Sequence, residues 1–222
     1  MKKLTLMAVL LFISGTAFAQ WEIGLKITPS IATNRVVAPS NYGFKALNAK
    51  TRFGGGVTAD YFFGPNYAFS TGLIYNGRGA GVSYNEPDST PTTRASDEFS
   101  IQYLEIPFTV KLYTNDVAPD IKLYFQTGGS LDPRISAKVN GEKLEPVTNN
   151  KNTRRFNIAD ISVLVGAGAE MQLGESTKVF GGLSYHRGLL DIDNYYENRG
   201  QFNNKNIEIK NSYVALDLGI KF

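Results

Sequence analysis

The sequence predicts an all-β protein, an eight-stranded antiparallel up-and-down transmembrane β-barrel. Three observations carry that prediction. Hydropathy alternates with a period of two through eight segments. The connections between them alternate long and short. The face opposite the apolar one carries charges of both signs inside the strands.

The first 19 residues stand apart. Met1, Lys2 and Lys3 form a short basic start, Leu4 to Gly15 is an apolar run, and Ala17-Phe18-Ala19 is a small-x-small site before Gln20. These are the ordered parts of a secretory signal peptide, with cleavage expected near Ala19. The apolar run is shorter than the roughly 20 residues a spanning helix needs. Residues 1–19 are therefore read as signal peptide and residues 20–222 as the barrel domain. Beyond Gln20 the longest apolar stretch, Ile161 to Ala169, is bracketed by Asp160 and Glu170. A membrane protein of this kind must span as a closed barrel, since only helices and closed barrels satisfy their backbone groups in hydrocarbon.

The strands follow in order. Trp21, Ile23, Leu25 and Ile27 alternate with Glu22, Gly24, Lys26 and Thr28. Phe53, Gly55, Val57, Ala59, Tyr61 and Phe63 make the second row. Tyr67, Phe69, Thr71, Leu73 and Tyr75 make the third. The fourth starts on odd positions (Phe99, Ile101, Tyr103) and continues on even ones (Ile106, Phe108, Val110, Leu112). That flip near Leu104 is what a β-bulge would produce, with Pro107 just beyond it. The remaining rows are Ile121 to Thr127, Ile161 to Met171, Val179 to Tyr185 and Val214 to Phe222.

The connections are residues 31–50, 64–66, 79–97, 114–120, 131–155, 174–177 and 191–209, in the order long, short, long, short, long, short, long. An even-stranded up-and-down barrel then gathers the long loops at one end and the short turns and both termini at the other. This is the layout of outer-membrane barrels. Loops rich in Asn, Pro, Ser and Thr suit solvent.

A soluble barrel also alternates, but with its apolar face inward. Here the polar face carries Glu22, Lys26, Arg52, Asp60, Arg78, Lys111, Lys122, Asp160, Glu170, Asp217 and Lys221, expected as a lumen network of paired charges. The same face is rich in glycine, as a narrow lumen requires. Aromatics gather near strand ends. Trp21, Phe63, Tyr67 and Phe222 are expected at one membrane interface, and Phe53, Tyr75, Phe99 and Tyr185 at the other.

Three stretches resemble the PorT-like outer-membrane β-barrel family. They are Tyr103-Leu104-Glu105-Ile106-Pro107, Tyr185-His186-Arg187-Gly188-Leu189-Leu190-Asp191-Ile192, and Leu216-Asp217-Leu218-Gly219-Ile220-Lys221-Phe222, with Val165-Gly166-Ala167-Gly168 also fitting. The resemblance covers essentially the whole chain after the leader. It implies an outer-membrane barrel of a Gram-negative bacterium, with Phe222 resembling the signal read by the barrel assembly machinery. It implies no defined activity. The family's named member is associated with a secretion apparatus, and no motif here carries that role across.

Composition excludes other classes. With no Cys, there can be no disulfide, Cys-based metal or redox site, nor a lipid anchor on an N-terminal Cys. The formal charge of +3 falls to +1 without Lys2 and Lys3, far from the basic excess of a nucleic-acid binder. His186 is the single His. Ser184 and Asp191 flank it, but a triad is set by geometry, and the reading here is a lumen or rim histidine. Asp191, Asp193, Asn194 and Glu197 fail the EF-hand pattern at its Gly and Glu positions. Gly166-x-Gly168 is followed by Met171 where a dinucleotide fingerprint needs Gly or Ala. Residues 131–155 hold Arg134, Lys138, Lys143, Lys151, Arg154 and Arg155, a basic loop facing outer-leaflet lipopolysaccharide.

The expectation is thus a monomeric outer-membrane barrel with a structural or loop-mediated role. It has no open pore, enzymatic activity, cofactor or metal. Outer-membrane lipid and lipopolysaccharide are its expected surroundings, and an envelope protein its candidate partner. The alternatives are an accessory part of an envelope secretion machine and a soluble periplasmic barrel binding a small apolar ligand.

Overall fold

Period-two sequence makes strands, and the computed structural model contains ten of them among the residues it describes: 20–86, 90–146, 149–196, 198, 202 and 204–222. The predicted leader 1–19, part of the second long loop and Glu197 lie outside those residues. The strands are β1 (Trp21–Val37), β2 (Lys45–Ala46), β3 (Lys50–Gly64), β4 (Tyr67–Arg78), β5 (Gly81–Asn85), β6 (Arg94–Tyr113), β7 (Ile121–Val139), β8 (Ala159–Gln172), β9 (Lys178–Gly188) and β10 (Glu208–Lys221).

Every pairing is antiparallel. β1 pairs with β3 on one side and β10 on the other. The ladder runs on through β4, β6, β7, β8 and β9 and closes on itself through β6–β7 and β9–β10. Sequence neighbours pair in space around an up-and-down barrel. β2 and β5, which the alternation did not reveal, stand outside this ring. β5 pairs with the loop-end half of β6, and β2 pairs with β5.

The apolar face points outward. Ile31, Phe53, Leu73, Phe125 and Leu183 are all more than half exposed, and the charged positions between such residues are buried. Seven of the ring strands exceed the roughly 9–11 residues a tilted strand needs to cross a bilayer, most of all β1 with 17, β3 with 15, β6 with 20 and β7 with 19. Their excess lies largely at the long-loop end, so the loops are shorter than the sequence suggests and the barrel wall is taller.

The predicted bulge in the fourth segment is not there. From Asp97 to Tyr113 the odd residues of β6 point inward without interruption. The apolar parity flips because the environment flips. Phe99, Ile101 and Tyr103 fill an apolar core at the mouth, whereas Phe108, Val110 and Leu112 cover the outside lower down. A register shift does occur beside Gln102 and Tyr103, but the extra residue is Ile135 on β7. β7 accordingly turns Ser130 and Asp132 inward before it, and Ala137 and Val139 after it.

Candidate functional site

The lumen is filled by side chains in layers. Nearest the short turns, Lys221 Nζ lies 2.8 Å from Asp60 Oδ2 and 3.7 Å from Glu22 Oε2, donates to Tyr113 Oη at 3.0 Å, and pairs with Glu170. Lys111 Nζ donates to both oxygens of Asp60 at 3.0 and 2.8 Å. Lys178 joins Glu22 to Glu170. Two glycines make room here. A Cβ on Gly168 or Gly182 would collide with the Tyr124 ring, so the aromatic lies flat against bare backbone.

The middle layer is centred on Arg78, which is 1 % exposed. Its Nη1 donates to Asp132 Oδ2 at 2.7 Å, and its Nη2 to Glu105 Oε2 at 2.7 Å. Ser130 and Ser162 add hydroxyl donors to Asp132 at 3.0 and 3.1 Å. Asn76 donates to Glu105 at 3.0 Å. Lys26 pairs with Asp217 at 2.9 Å. Tyr213 donates its hydroxyl proton to Glu105 at 2.5 Å, so at its 2.7 Å contact with Tyr213 Oη the Nδ1 of His186 is the donor. Ser184 Oγ lies 3.1 Å from His186 Nε2.

A serine and a histidine thus meet as in a hydrolase, but both are buried and the space beside His186 has no room for a water molecule. Asp191 lies elsewhere, accepting from the Ile209 and Asp193 amides. The interior space beside Lys26, Lys111, Tyr124 and Asp217 measures about 20 Å³, roughly the room one water needs. An apolar ligand has no cavity there.

The predicted lumen residues divide. Glu22, Lys26, Asp60, Lys111, Glu170, Asp217 and Lys221 meet one another as described. Asp160 is buried, accepting from Asn211 Nδ2 at 3.2 Å. Among the described residues Arg52 meets no carboxylate; it donates to the carbonyls of Gly79 and Phe99 at 2.6–3.1 Å. Lys122 is a correction. It sits at the start of β7 on the short-turn rim, half-buried, 3.9 Å from Asp116, because the β6–β7 pairing stops at Tyr124 and solvent reaches the side chain. Glu105, Asp132 and Tyr213 were missed as network members, while His186 lies in the lumen, one of the two places its sequence reading allowed. For Glu105 the signal was available in the unbroken odd row Tyr103, Glu105, Pro107, Thr109, Lys111.

The expected interface aromatics Trp21, Phe53, Phe63, Tyr67, Tyr75, Tyr185 and Phe222 all point outward. Phe99 does not. It is fully buried against Phe156, ring centroids 5.1 Å apart. It belongs to a cap that closes the long-loop end. Val82, Ile101, Ala137, Val139, Phe156, Ile192, Tyr196, Ile207 and Ile209 form its core, with Phe44, Tyr84 and Phe202 packed on it. β5 reaches over the mouth by a bend at Gly79 and Gly81, whose φ values of +90° and +138° favour glycine. Asn34 Oδ1 holds the bend by accepting from the amides of Ala80 and Gly81 at 2.7 and 2.9 Å.

One ion pair sits inside this cap. Arg155 Nη2 donates to Asp97 Oδ2 at 2.6 Å and its guanidinium lies 4.0 Å from the Tyr195 ring centre; Tyr196 Oη also donates to Asp97. Burial opposes the Arg155 charge, but Tyr196 and Asp97 outweigh it and hold its pKa above the ordinary value. Burial and then the Asp97 charge push Tyr84 up to about 12 and Tyr196 well above its usual range. The third long connection keeps its basic excess, because one residue of each sign leaves it. Arg155 is spent in the cap, and Asp132 belongs to the lumen. Among the described residues no cluster of three or more metal-ligating side chains forms.

Solved structures are similar to this chain. Neisserial surface protein A (NspA) is 12 % identical with a TM-score of 0.51, covering 91 % of this chain and 97 % of its own. Ail, the attachment invasion locus protein of Yersinia pestis, is 14 % identical with a TM-score of 0.42, covering 91 % and 99 %. The outer membrane protease OmpT from Escherichia coli is 9 % identical with a TM-score of 0.46, covering 91 % and 96 %. No curated protein sequence matches. Residues 18–194 match the outer membrane protein beta-barrel domain. With its closed antiparallel ring and outward apolar belt, the chain belongs to that outer-membrane β-barrel family.

Proposed function

We propose that this protein is a monomeric, eight-stranded outer-membrane barrel, delivered by cleavage near Ala19. It acts through its capped loop end as a structural or interaction protein, neither a pore nor an enzyme. The observation that carries this reading is the combination of an outward apolar belt with a lumen filled by ion pairs. A water-filled channel and a substrate cavity both need space that Arg78, Lys111, Tyr124 and their partners occupy.

Its surroundings are outer-membrane lipid and lipopolysaccharide, with Phe222 offered to the assembly machinery. The long-loop end faces outward, and its rigid cap presents the loops to an envelope or external protein partner. The motifs around Tyr103 to Pro107 and Leu216 to Phe222 support a PorT-like branch of the family. A secretion role rests on that resemblance alone.

The test is fractionation with heat modifiability, followed by conductance in planar bilayers. The expected result is an outer-membrane protein whose mobility in SDS shifts on boiling and which opens no steady channel. Recovery from the soluble periplasmic extract without a shift would overturn the membrane reading. A steady conductance would overturn the closed lumen.

A further inference from the structure

The outer wall carries a built notch at the loop end of β9, β10 and β1. Outward residues there form successive rungs. Tyr185, Val214 and Ile31 make an apolar rung, and Arg187, Ser212 and Thr33 make the next towards the loops. Lys210 and Arg35 stand opposite each other beyond it. Because Thr33 and Ser212 are short between larger neighbours, a groove of about 420 Å³ opens, lined by Ile31, Thr33, Arg35, Tyr185, Ser212 and Val214, with Ala49 and Tyr213 at its margin.

Arg35 is fixed at the head of that groove. Its Nε donates to Ser212 Oγ at 3.1 Å and its Nη2 to the Gly188 carbonyl at 2.6 Å. Cross-strand like charges are unfavourable, yet Arg35 and Lys210 are register partners with Arg187 one rung away. The carboxylate paired with Lys210 is Glu208, at 2.8 Å. Among the described residues the ion pair made by these three cations is Lys210 with Glu208, which leaves Arg35 and Arg187 above an apolar wall, the complement of an anionic headgroup over an acyl chain. The cations span three strands, about 10 Å at the usual strand spacing. That width suits a headgroup with more than one phosphate.

We propose that this notch binds a phosphorylated glycolipid of the outer leaflet, lipid A. One acyl chain lies against Ile31, Val214 and Tyr185, and phosphates meet Arg35, Arg187 and Lys210. This rests on the membrane reading and its orientation. It places the lipid contact on the barrel wall, away from the basic third loop.

The experiment uses the purified barrel in detergent with lipid A, dephosphorylated lipid A, phosphatidylglycerol and inorganic phosphate, with bound lipid read by native mass spectrometry. Heat modifiability in the same samples reports the barrel itself, so a failed fold and a failed site are told apart. Lipid A should be retained over the other three probes. Retention should fall about tenfold when Arg187→Gln and Lys210→Gln are combined, as expected for losing charged hydrogen bonds. Thr33→Leu, which fills the groove without changing charge, should also weaken it. Equal retention by the double variant, equal binding of dephosphorylated lipid A, or an unaffected Thr33→Leu would each overturn the proposal. Preference for phosphatidylglycerol would overturn the choice of lipid A.

Discussion

The capped mouth and the charged lumen are built from inward faces of the same strands, yet they are held by different forces. On β6, Phe99, Ile101 and Tyr103 face an apolar core, and a few residues on, Glu105 and Lys111 face ions. The exterior explains the change. Around the mouth the outside is water, so apolar groups gain by turning inward. Within the apolar belt the outside is hydrocarbon, and burying an apolar side chain inside gains little over leaving it in lipid. The interior is therefore joined by ion pairs and hydrogen bonds, which are strong where water is excluded and costly when broken. The inside of a barrel is set by what surrounds it.

The sharpest way to break this contrast is Arg78→Met. It strands Asp132 and Glu105 without their guanidinium, and losing one partner of a buried pair costs about 3–5 kcal/mol. The whole ring should unfold at lower denaturant in micelles. An unchanged midpoint would show that the serines and Asn76 suffice.

Phe99→Ala attacks the cap instead. A large-to-small change in an apolar core costs about 3 kcal/mol, but here the loss should stay local. Amide exchange should accelerate in β5 and in residues 152–156, with the β8–β9 ladder keeping its protection. Acceleration throughout the ring would merge the two regions into one cooperative unit.

A third test uses pH. The Tyr84 pKa is raised from 10.0 to about 12 in the folded cap. A raised folded value means its contribution is complete below pH 10 and drains away as pH climbs from 10 towards 12. The cap should loosen in that window, read by tyrosinate absorbance, and Tyr84→Phe should blunt the change. Lys122→Gln is the control with the smallest effect. On the exposed rim it should shift stability by less than about 0.5 kcal/mol.

Much of this was legible in the sequence. Rows such as Trp21, Ile23, Leu25, Ile27 mark strands, and strand faces hold Lys26, Asp60 and Asp217 on the side that becomes the lumen. The alternation of connections foretells which end carries the loops. The mouth was not legible, for a physical reason. There the apolar residues move to the inner face, so Phe99 reads as an outward interface aromatic and its strand reads as bulged. β5 was hidden because its five residues pair with the end of a neighbouring strand and alternate too briefly to stand out. Ile135, the true extra residue, is an ordinary strand former, and nothing in its identity betrays it. Lys122 was misplaced because period two gives a face but not the height at which the wall ends.

Lys221 gives the molecule an order in time. The carboxylates it meets come from three other strands: Glu22 on β1, Asp60 on β3 and Glu170 on β8. Without β10, Asp60 keeps Lys111 alone, and Glu22 and Glu170 share Lys178. Docking of the last strand closes the seam and completes the ion cluster in one event. An open sheet lacking β10 would be short of one of the three ammonium groups of that cluster.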